Sequence, residues 1–306
     1  MNKQLVIATR GSELALWQAN HVKARLEALG AEVALRVIKT TGDKILDRPL
    51  AEVGGKGLFV KEIEQALLER TADLAVHSMK DVPAELAPGL AMAAVSERED
   101  VRDALVSRGG VRFAELPAGA RVGTSSLRRV CQLSALRGDL VFVPLRGNVP
   151  TRIDKVTAGE VDAAVLAAAG LKRLGRAGQI SELFDPARII PAGGQGALGI
   201  ETRADDDEIA ALVRRALHHD GDASCVAAER ALLARLQGGC QTPLAAHARL
   251  TDPGTLELHA LVGRPDGTDI LRAERVGAAS DPAALGSAVG TELLSRGADR
   301  ILRDLM

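Results

Sequence analysis

Short apolar runs alternate with amphipathic stretches over the first two thirds of the chain. Leu5–Thr9 (LVIAT) has the length of a strand, and it leads into a segment whose Leu14, Trp17, Val22, Leu26 and Leu29 recur at helical spacing, with Ser12 placed to cap its start and Gly30 to close its end. Val33–Ile38 predicts a second strand, about Leu58–Glu69 a helix, and Asp73–His77 a strand running straight into Ser78, Met79, Lys80 and Asp81. Those four side chains therefore sit at a strand's carboxyl end. Gly42–Gly57 (GDKILDRPLAEVGGKG) has no periodicity, and an aperiodic loop of that length reads as a functional lid.

Beyond a crossover at Glu97–Val101 a second strand, turn and helix series begins with RVGTSSLRRVCQL and continues through DLVFVPLRGNVPTR and DAAVLAAAGLKRLG. It parallels the first: IATRGSELALWQ and VGTSSLRRVCQL both run strand, Thr, polar turn, Ser and helix, and DLAVHSMKD and DAAVLAAAGLKR both place basic residues just after an apolar strand. The alternation predicts an α/β fold with parallel sheets flanked by helices, in two similar lobes facing across a cleft where strand carboxyl ends hold the ligand. The bland alternative is that any two βα units look this alike, because turns and caps reuse Ser, Thr and Gly. From Asp205 the pattern changes to helices over Asp206–Leu217 and Asp222–Leu236, then strands around Leu256–Val262 and Ile270–Val276 with Asp266-Gly267 between them, then a helix over about Pro282–Ser295. This predicts a third, small α+β domain: an antiparallel sheet covered by helices.

The composition, 306 residues with 46% hydrophobic and 26% charged, suits a globular chain with two or three cores. The start, MNKQLVIATRGSE, has no apolar stretch of secretory type, and the longest uncharged run, Ile189–Ile200, is Gly-rich and far short of the roughly 20 apolar residues of a membrane helix. A cytoplasmic protein with no membrane partner is expected. Cys131, Cys225 and Cys240 are widely spaced and form no CxxC pair, which argues against a disulfide framework. A net charge of -1 with four Phe, one Trp and no Tyr leaves neither a global basic field nor stacking platforms, so no nucleic-acid partner is expected.

Any anionic ligand must then meet a local cluster. Between Arg121 and Arg152 six arginines (Arg121, Arg128, Arg129, Arg137, Arg146, Arg152) stand against a single acid, Asp139. A solvated face usually mixes Glu with Lys, whereas arginines without acidic partners in turn segments suit bidentate carboxylate or phosphate binding. In VGTSSLRR the first amides of a helix and the hydroxyls of Thr124, Ser125 and Ser126 compose an anion site at the positive end of the dipole, or else a plain Ser cap. Asp81, stiffened by Val82-Pro83 and next to Lys80, reads either as a structural salt bridge or as a group that moves protons and offsets positive charge on a substrate nitrogen. Cys240, among glycines in GGCQTP, is either an accessible thiol or one more buried small hydrophobe. His218, His219 and Cys225 fit no standard zinc spacing, and no metal is expected.

These residues lie in a longer series: IATRGSELALWQAN from Ile7, GGKGLFVKEIE, HSMKDVP at His77–Pro83, SEREDVRDALVS, GTSSLRR at Gly123–Arg129, LRGNVPTR, AGLKRLG, GGQGALGIE and ERALLARLQGGCQTP. Over about three quarters of its length the chain thus resembles the porphobilinogen deaminase family. The resemblance implies two periplasmic-binding-protein-like lobes and a third small α+β domain, divided as 1–97 with 198–217, 98–197 and 218–306. It implies a monomer acting on the small molecule porphobilinogen, with a dipyrromethane cofactor attached by thioether to Cys240 and Asp81 as catalytic acid/base. Ser78, Lys80, Thr124, Ser126, Arg128, Arg129, Arg146 and Asn148 are implied as cofactor-binding, and Arg10, Ser12, Lys56, Arg152, Arg173 and Gln195 as substrate-binding, Lys56 from the lid. In that chemistry each porphobilinogen loses ammonia to leave an electrophilic azafulvene, which the free α-carbon of the preceding ring attacks. Two positions depart from the family: Glu52 stands where relatives often have Lys, and PLAAHA, with Ala245 and Ala246, replaces a small Gly-bearing turn after Cys240.

Overall fold

The computed structural model describes residues 4–44, 60–238 and 242–305. The expected lid from Ile45 onward, with Glu52 and Lys56, and the thiol of Cys240 lie outside the described residues. In chain order the strands are β1 (Leu5–Arg10), β2 (Val33–Ile38), β3 (Leu74–Ser78), β4 (Leu90–Val95), β5 (Asp103–Ser107), β6 (Arg121–Gly123), β7 (Val141–Val143), β8 (Ala163–Ala167), β9 (Glu182–Leu183), β10 (Leu198–Arg203), β11 (Leu244–Asp252), β12 (Thr255–Val262) and β13 (Leu271–Ala278). The helices are α1 (Glu13–Glu27), α2 (Thr41–Lys44), α3 (Lys61–Leu68), α4 (Leu127–Leu136), α5 (Val149–Thr157), α6 (Ala168–Arg173), α7 (Asp207–Leu217), α8 (Asp220–Arg235), α9 (Pro282–Ser295) and α10 (Ala298–Arg303). Contacts divide the chain into two compact units, 1–99 with 197–223, and 100–196 with 224–306.

The first unit is a five-stranded sheet in the order β2-β1-β3-β10-β4. β1 pairs in parallel with β2 and β3, while β10 runs antiparallel to β3 and β4. One face packs Leu5, Ile7, Leu74, Val76 and Ile200 on α1 and α7, and the other packs Ala8 and Ala75 on α3, so both faces are covered. Within α1 the buried residues are Gln18, Ala19, Val22 and Leu26. The expected stripe was displaced at two points: Trp17 and Leu29 are exposed. Trp17 lies about 100° around the helix from Gln18, and Leu29 falls in the turn after the helix has ended.

The second unit holds a sheet in the order β7-β6-β8-β5-β9, with β6 parallel to β7 and β8, and β5 antiparallel to β8 and β9. Strand for strand the order matches the first sheet: β6 takes the place of β1, β8 of β3, and the antiparallel β5 that of β10. The similarity of the two series of motifs is thus one of topology. The expected parallel strands form a triplet in each sheet, and each sheet inserts one antiparallel strand beside it, which the alternation did not foresee. Leu105, Val122, Val165 and Leu133 form the core on one face, and Ala104, Val106, Ile153 and Leu171 that on the other.

The same unit contains the antiparallel sheet β11-β12-β13. Its inner face, Leu244, Ala246, Ala248, Leu256, Leu258, Ala260 and Val262, packs on α8, α9 and α10. Opposite, Ala245 and Leu261 close a small core with Cys131 and Ile190. PLAAHA therefore opens a strand and is not a turn. Alternation failed to mark β11 because small alanines are buried on both faces at its start. The hairpin expected at Asp266-Gly267 is present between β12 and β13, where Asp266 Oδ1 accepts the Thr268 N–H at 2.9 Å.

α9 crosses α8 at a glycine. A Cβ on Gly286 would collide with the Ala228 carbonyl oxygen and lie 2.9 Å from the Leu232 nitrogen, contacts to backbone that no rotamer change relieves. Gly286→Ala is expected to force the two helices apart and to cost about 1–3 kcal/mol in urea unfolding, the scale of overpacking a formed core. An unchanged midpoint would contradict this packing.

Candidate active site

In the first unit the carboxyl ends of the parallel strands β1 and β3 present Arg10, Ser12, Ser78, Lys80 and Asp81 on one edge of the sheet. β3 ends at Ser78 and the chain turns once through Met79–Asp81. Met79 is buried and its N–H donates to the Ala197 carbonyl at 3.0 Å, while the Val82 N–H returns to Met79 O at 3.2 Å, so backbone bonds hold the turn. The Asp81 side chain is left exposed. Gln18, unremarked in the sequence, is buried in α1 and donates from Nε2 to Ser78 Oγ at 2.9 Å. Ser12 Oγ accepts the Ala15 N–H at 3.3 Å, so its hydroxyl is the α1 cap.

One residue before Ser78, His77 Nε2 lies 2.9 Å from Glu201 Oε2, both side chains buried between β3 and β10. Glu64 is close by on α3: burial first, then the charge of Glu201, push its carboxyl above the usual range.

In the second unit β6, β7 and β8 bring their carboxyl ends to one edge. Thr124 and Ser126 follow β6, Arg146, Asn148 and Arg152 follow β7, and Arg173 ends α6 after β8. The decisive group is one that the window of six arginines did not contain. Asp103, at the head of β5 and wholly buried, accepts from Arg128 Nη1 (2.7 Å), Arg129 Nε (3.0 Å), Arg129 Nη2 (2.7 Å) and Gln195 Nε2 (3.0 Å). Arg128 Nη1 also donates to Ile190 O and Arg129 Nη1 to Val165 O, each at 2.7 Å. The solvated-face reading of these two arginines is overturned, since both are buried. The expectation that the cluster lacks acidic partners is corrected as well: Asp103 takes Arg128 and Arg129, and Asp139 takes Arg137, which also donates to the carbonyls of Phe113, Ala114 and Leu116.

The two neighbours are unequal. Every nitrogen of the Arg129 guanidinium already donates within the protein, whereas Nε and Nη2 of Arg128 take no partner among the described residues. Arg128 lies in the first turn of α4, where Arg129 and Val130 make the first helical bonds, to Ser126 O. The amides of Leu127 and Arg128 precede those bonds. Of the hydroxyls, Thr124 Oγ1 accepts the Ser126 N–H, Ser125 Oγ is held by the Leu145 backbone, and Ser126 makes no cap bond.

The remaining expected residues divide similarly. Asn148 Oδ1 accepts from Thr151 N and Oγ1 (2.9 and 2.7 Å), so it caps α5. Arg152 Nε donates to Gly147 O at 2.8 Å, and Arg173 Nη2 to Gly196 O at 2.6 Å. Arg146 and Arg152 are half-buried. Gln195 is buried, its amide on Val101 O and Asp103.

Two family models cover the chain: "Porphobilinogen deaminase, dipyromethane cofactor binding domain" over residues 5–211 and "Porphobilinogen deaminase, C-terminal domain" over residues 223–295. The chain belongs to the porphobilinogen deaminase family. A porphobilinogen deaminase of Syntrophobacter fumaroxidans is 55% identical over 302 residues, 98% of this chain and 97% of its own. One of Chromobacterium violaceum is 54% identical over 297 residues, 96% of each chain. Among solved structures, the methionine binding protein MetQ overlays with a TM-score of 0.45 at 14% identity, covering 70% of this chain and 89% of that one. The deaminase cofactor domain spans the Asp81 turn and the head of α4, and the donors there suit a dipyrromethane, whose side chains are carboxylates: a guanidinium edge, free helix amides and half-buried arginines. Among the described residues, Glu257, His259 and Glu274 are the group able to hold a metal. They form a surface ion-pair network, with Arg249 on Glu257 and each ring nitrogen of His259 3.4 Å from a different carboxylate. Among the described residues no helix is long and apolar enough to cross a membrane.

Burial pushes the Asp103 carboxyl up, but the charges and hydrogen bonds of Arg128 and Arg129 together outweigh it and hold the group well below the usual carboxylate range. A carboxyl depressed in the folded state stabilises fully above its unfolded value, about pH 4, and loses that contribution as pH falls below it. Asp103→Asn is expected to cost about 3–5 kcal/mol at neutral pH, because two buried guanidiniums lose their counter-charge. Its urea midpoint is also expected to fall less than that of the wild type between about pH 6 and pH 3. Parallel pH profiles in the two proteins would show that the network does not set acid stability.

Proposed function

We propose that this chain is a hydroxymethylbilane synthase, a transferase that joins four porphobilinogens head to tail with loss of ammonia on a dipyrromethane primer. The primer is tethered through a thioether to Cys240, and the product, hydroxymethylbilane, enters tetrapyrrole and haem biosynthesis. The observation that carries the reading is the 55% identity across 98% of the chain to a relative of that activity. The geometry supports it with carboxylate-binding donors at one sheet edge and a carboxylate at the edge of another. A non-catalytic two-lobed anion-binding protein would use the arginines but leaves the full-length match without a reason. The enzyme works as a cytoplasmic monomer, without nucleic acid, and residues 218–306 serve as the domain that presents the tethered primer.

When bound, the dipyrromethane supplies the pyrrole α-carbon from which the product grows. Everything else falls to the chain's own groups. Arg128, through Nε and Nη2 with the first amides of α4 and Ser126, binds the primer's carboxylates, and Arg129 acts by holding Asp103 and hence the Arg128 fork. Arg146, Arg152, Arg173 and Lys56 bind carboxylates that arrive with each porphobilinogen, with Arg10 and Lys80 beside the reacting ring. Asp81 opposes the positive charge that develops on the pyrrole nitrogen as ammonia leaves, and takes the proton released from the α-carbon after the new bond forms. Ser12, Asn148, Thr124 and Gln195 shape the backbone around these groups more than they touch ligand, as their hydrogen bonds suggest.

Intact mass separates the outcomes. Wild type is expected to carry the mass of two pyrrole units and Cys240→Ser none; an unadducted wild type would remove the function, and a Cys240→Ser protein retaining adduct and turnover would remove the tether. Asp81→Ala is expected to fold and carry the cofactor yet turn over about 10²- to 10⁴-fold more slowly. A rate within a few-fold of wild type would take Asp81 out of the mechanism.

A further inference from the structure

Glu229 has no place in the chemistry above, yet it is wholly buried on α8 and both its oxygens are used. Oε2 accepts the Gly194 N–H at 2.6 Å and Oε1 accepts the Ala248 N–H at 2.7 Å. The two amides come from different places. Gly194 belongs to the Gly-rich loop whose next residue, Gln195, donates to Asp103, and whose Gly196 carbonyl receives Arg173. Ala248 lies on β11, at the edge of the third sheet. The loop lies directly on the helix, since a Cβ on Gly193 would come 2.9 Å from Leu233 Cδ1 and 3.5 Å from Glu229 Cβ. Close by, the Ala246 N–H donates to Pro191 O at 3.1 Å, so β11 leans on the same loop at a second point. Neither amide has a ladder partner in these positions, and a carboxylate answers both where a neutral side chain would answer one.

We propose that Glu229 is a positioning residue that clamps the helix leading to Cys240 and the edge of the third sheet onto the loop carrying Gln195, thereby fixing the tethered primer relative to Asp103 and Arg128. The proposal rests on the deaminase reading. α8 ends at Arg235, and Cys240 follows five residues later in sequence, so the helix held on the loop at 193–196 is the one that leads to the tether. Arg128 is held by Asp103, which Gln195 also touches. The clamp therefore ties the helix that precedes the tether to the loop that braces the carboxylate-binding fork. A displacement of about 1 Å far from the reacting atoms is enough to cost of the order of 10²-fold in rate.

The test uses the full chain as purified. Intact mass gives the fraction carrying the two-pyrrole adduct, and anion exchange isolates that fraction for kinetics. Glu229→Gln keeps the size but offers an acceptor to only one amide. It is expected to purify with a lower loaded fraction than wild type, and to show a kcat per loaded molecule reduced about ten-fold or more. Val289→Ala, which thins the same core without touching the clamp, serves as a stability control and is expected to keep wild-type loading and kcat. Full loading with wild-type kcat in Glu229→Gln, whatever its melting temperature, overturns the proposal. So does an equal fall in Val289→Ala at an equal melting temperature, which would make the effect one of stability alone. If Glu229→Gln does not fold, Glu229→Asp, which keeps the charge but is too short to reach both amides, is judged by the same criteria. A wild type without the adduct overturns the deaminase reading and this proposal with it, and is told apart by mass alone.

Discussion

A carboxylate removed from water is stable only if the charges around it replace what the solvent gave up. Asp103 meets that condition with two guanidiniums and an amide, and much of the second unit is arranged by it. The bonds reach β5, the carbonyls of Val165 on β8 and Ile190 in the loop between β9 and β10, and the first turn of α4. Removing two arginines from solvent without Asp103 would cost several kcal/mol per ion. With it, Arg129 becomes part of the frame and Arg128 keeps one edge open beside the unbonded amides of a helix. The cationic character of the site thus comes from a cluster with one positive charge more than its acid cancels, held too rigidly to turn away from a ligand.

The first unit solves the opposite problem. The turn that carries Asp81 is tied by backbone bonds to Ala197 and within itself, and the Asp81 side chain is exposed. The polar side chains that do brace this edge lie inside: Gln18 on Ser78, and His77 against Glu201 in the body of the sheet. Rigidity at this edge is supplied by buried groups, while the carboxylate at its tip stays exposed.

The third sheet completes the second unit through contacts that are few but specific. The small core of Cys131, Ile190, Ala245 and Leu261 supplies apolar area, and Glu229 supplies direction, because a carboxylate bound to two amides tolerates little sliding. The alanines that replace a Gly-bearing turn after Cys240 are part of this: Ala245 and Ala246 are buried on opposite faces of β11, where larger side chains would separate the sheet from what it rests on.

Read alone, the sequence determined much of the alternation of strands and helices, the repetition between the two lobes, the placement of Asp81 at a strand end and of Arg128 at a helix start, and the family. Local spacing carries each of these, since caps, turns and strand ends are set by neighbours in the chain. It did not determine which arginines are buried against an acid, nor find β11, Gln18, Asp103 or Glu229. The acid that serves Arg128 lies at the head of a strand that enters its sheet antiparallel, and no periodicity predicts which strand that strand will pair with. The signal that existed was an oddity of placement: Asp103 heads the fully buried run ALVS, and Glu229 shares a helix face with Cys225, Val226 and Leu232. A charge on an apolar stripe must find a partner, and that requirement is visible in one dimension. Who the partner is was decided only in three, because ion pairs and hydrogen bonds form between atoms that folding brings together and that sequence leaves far apart.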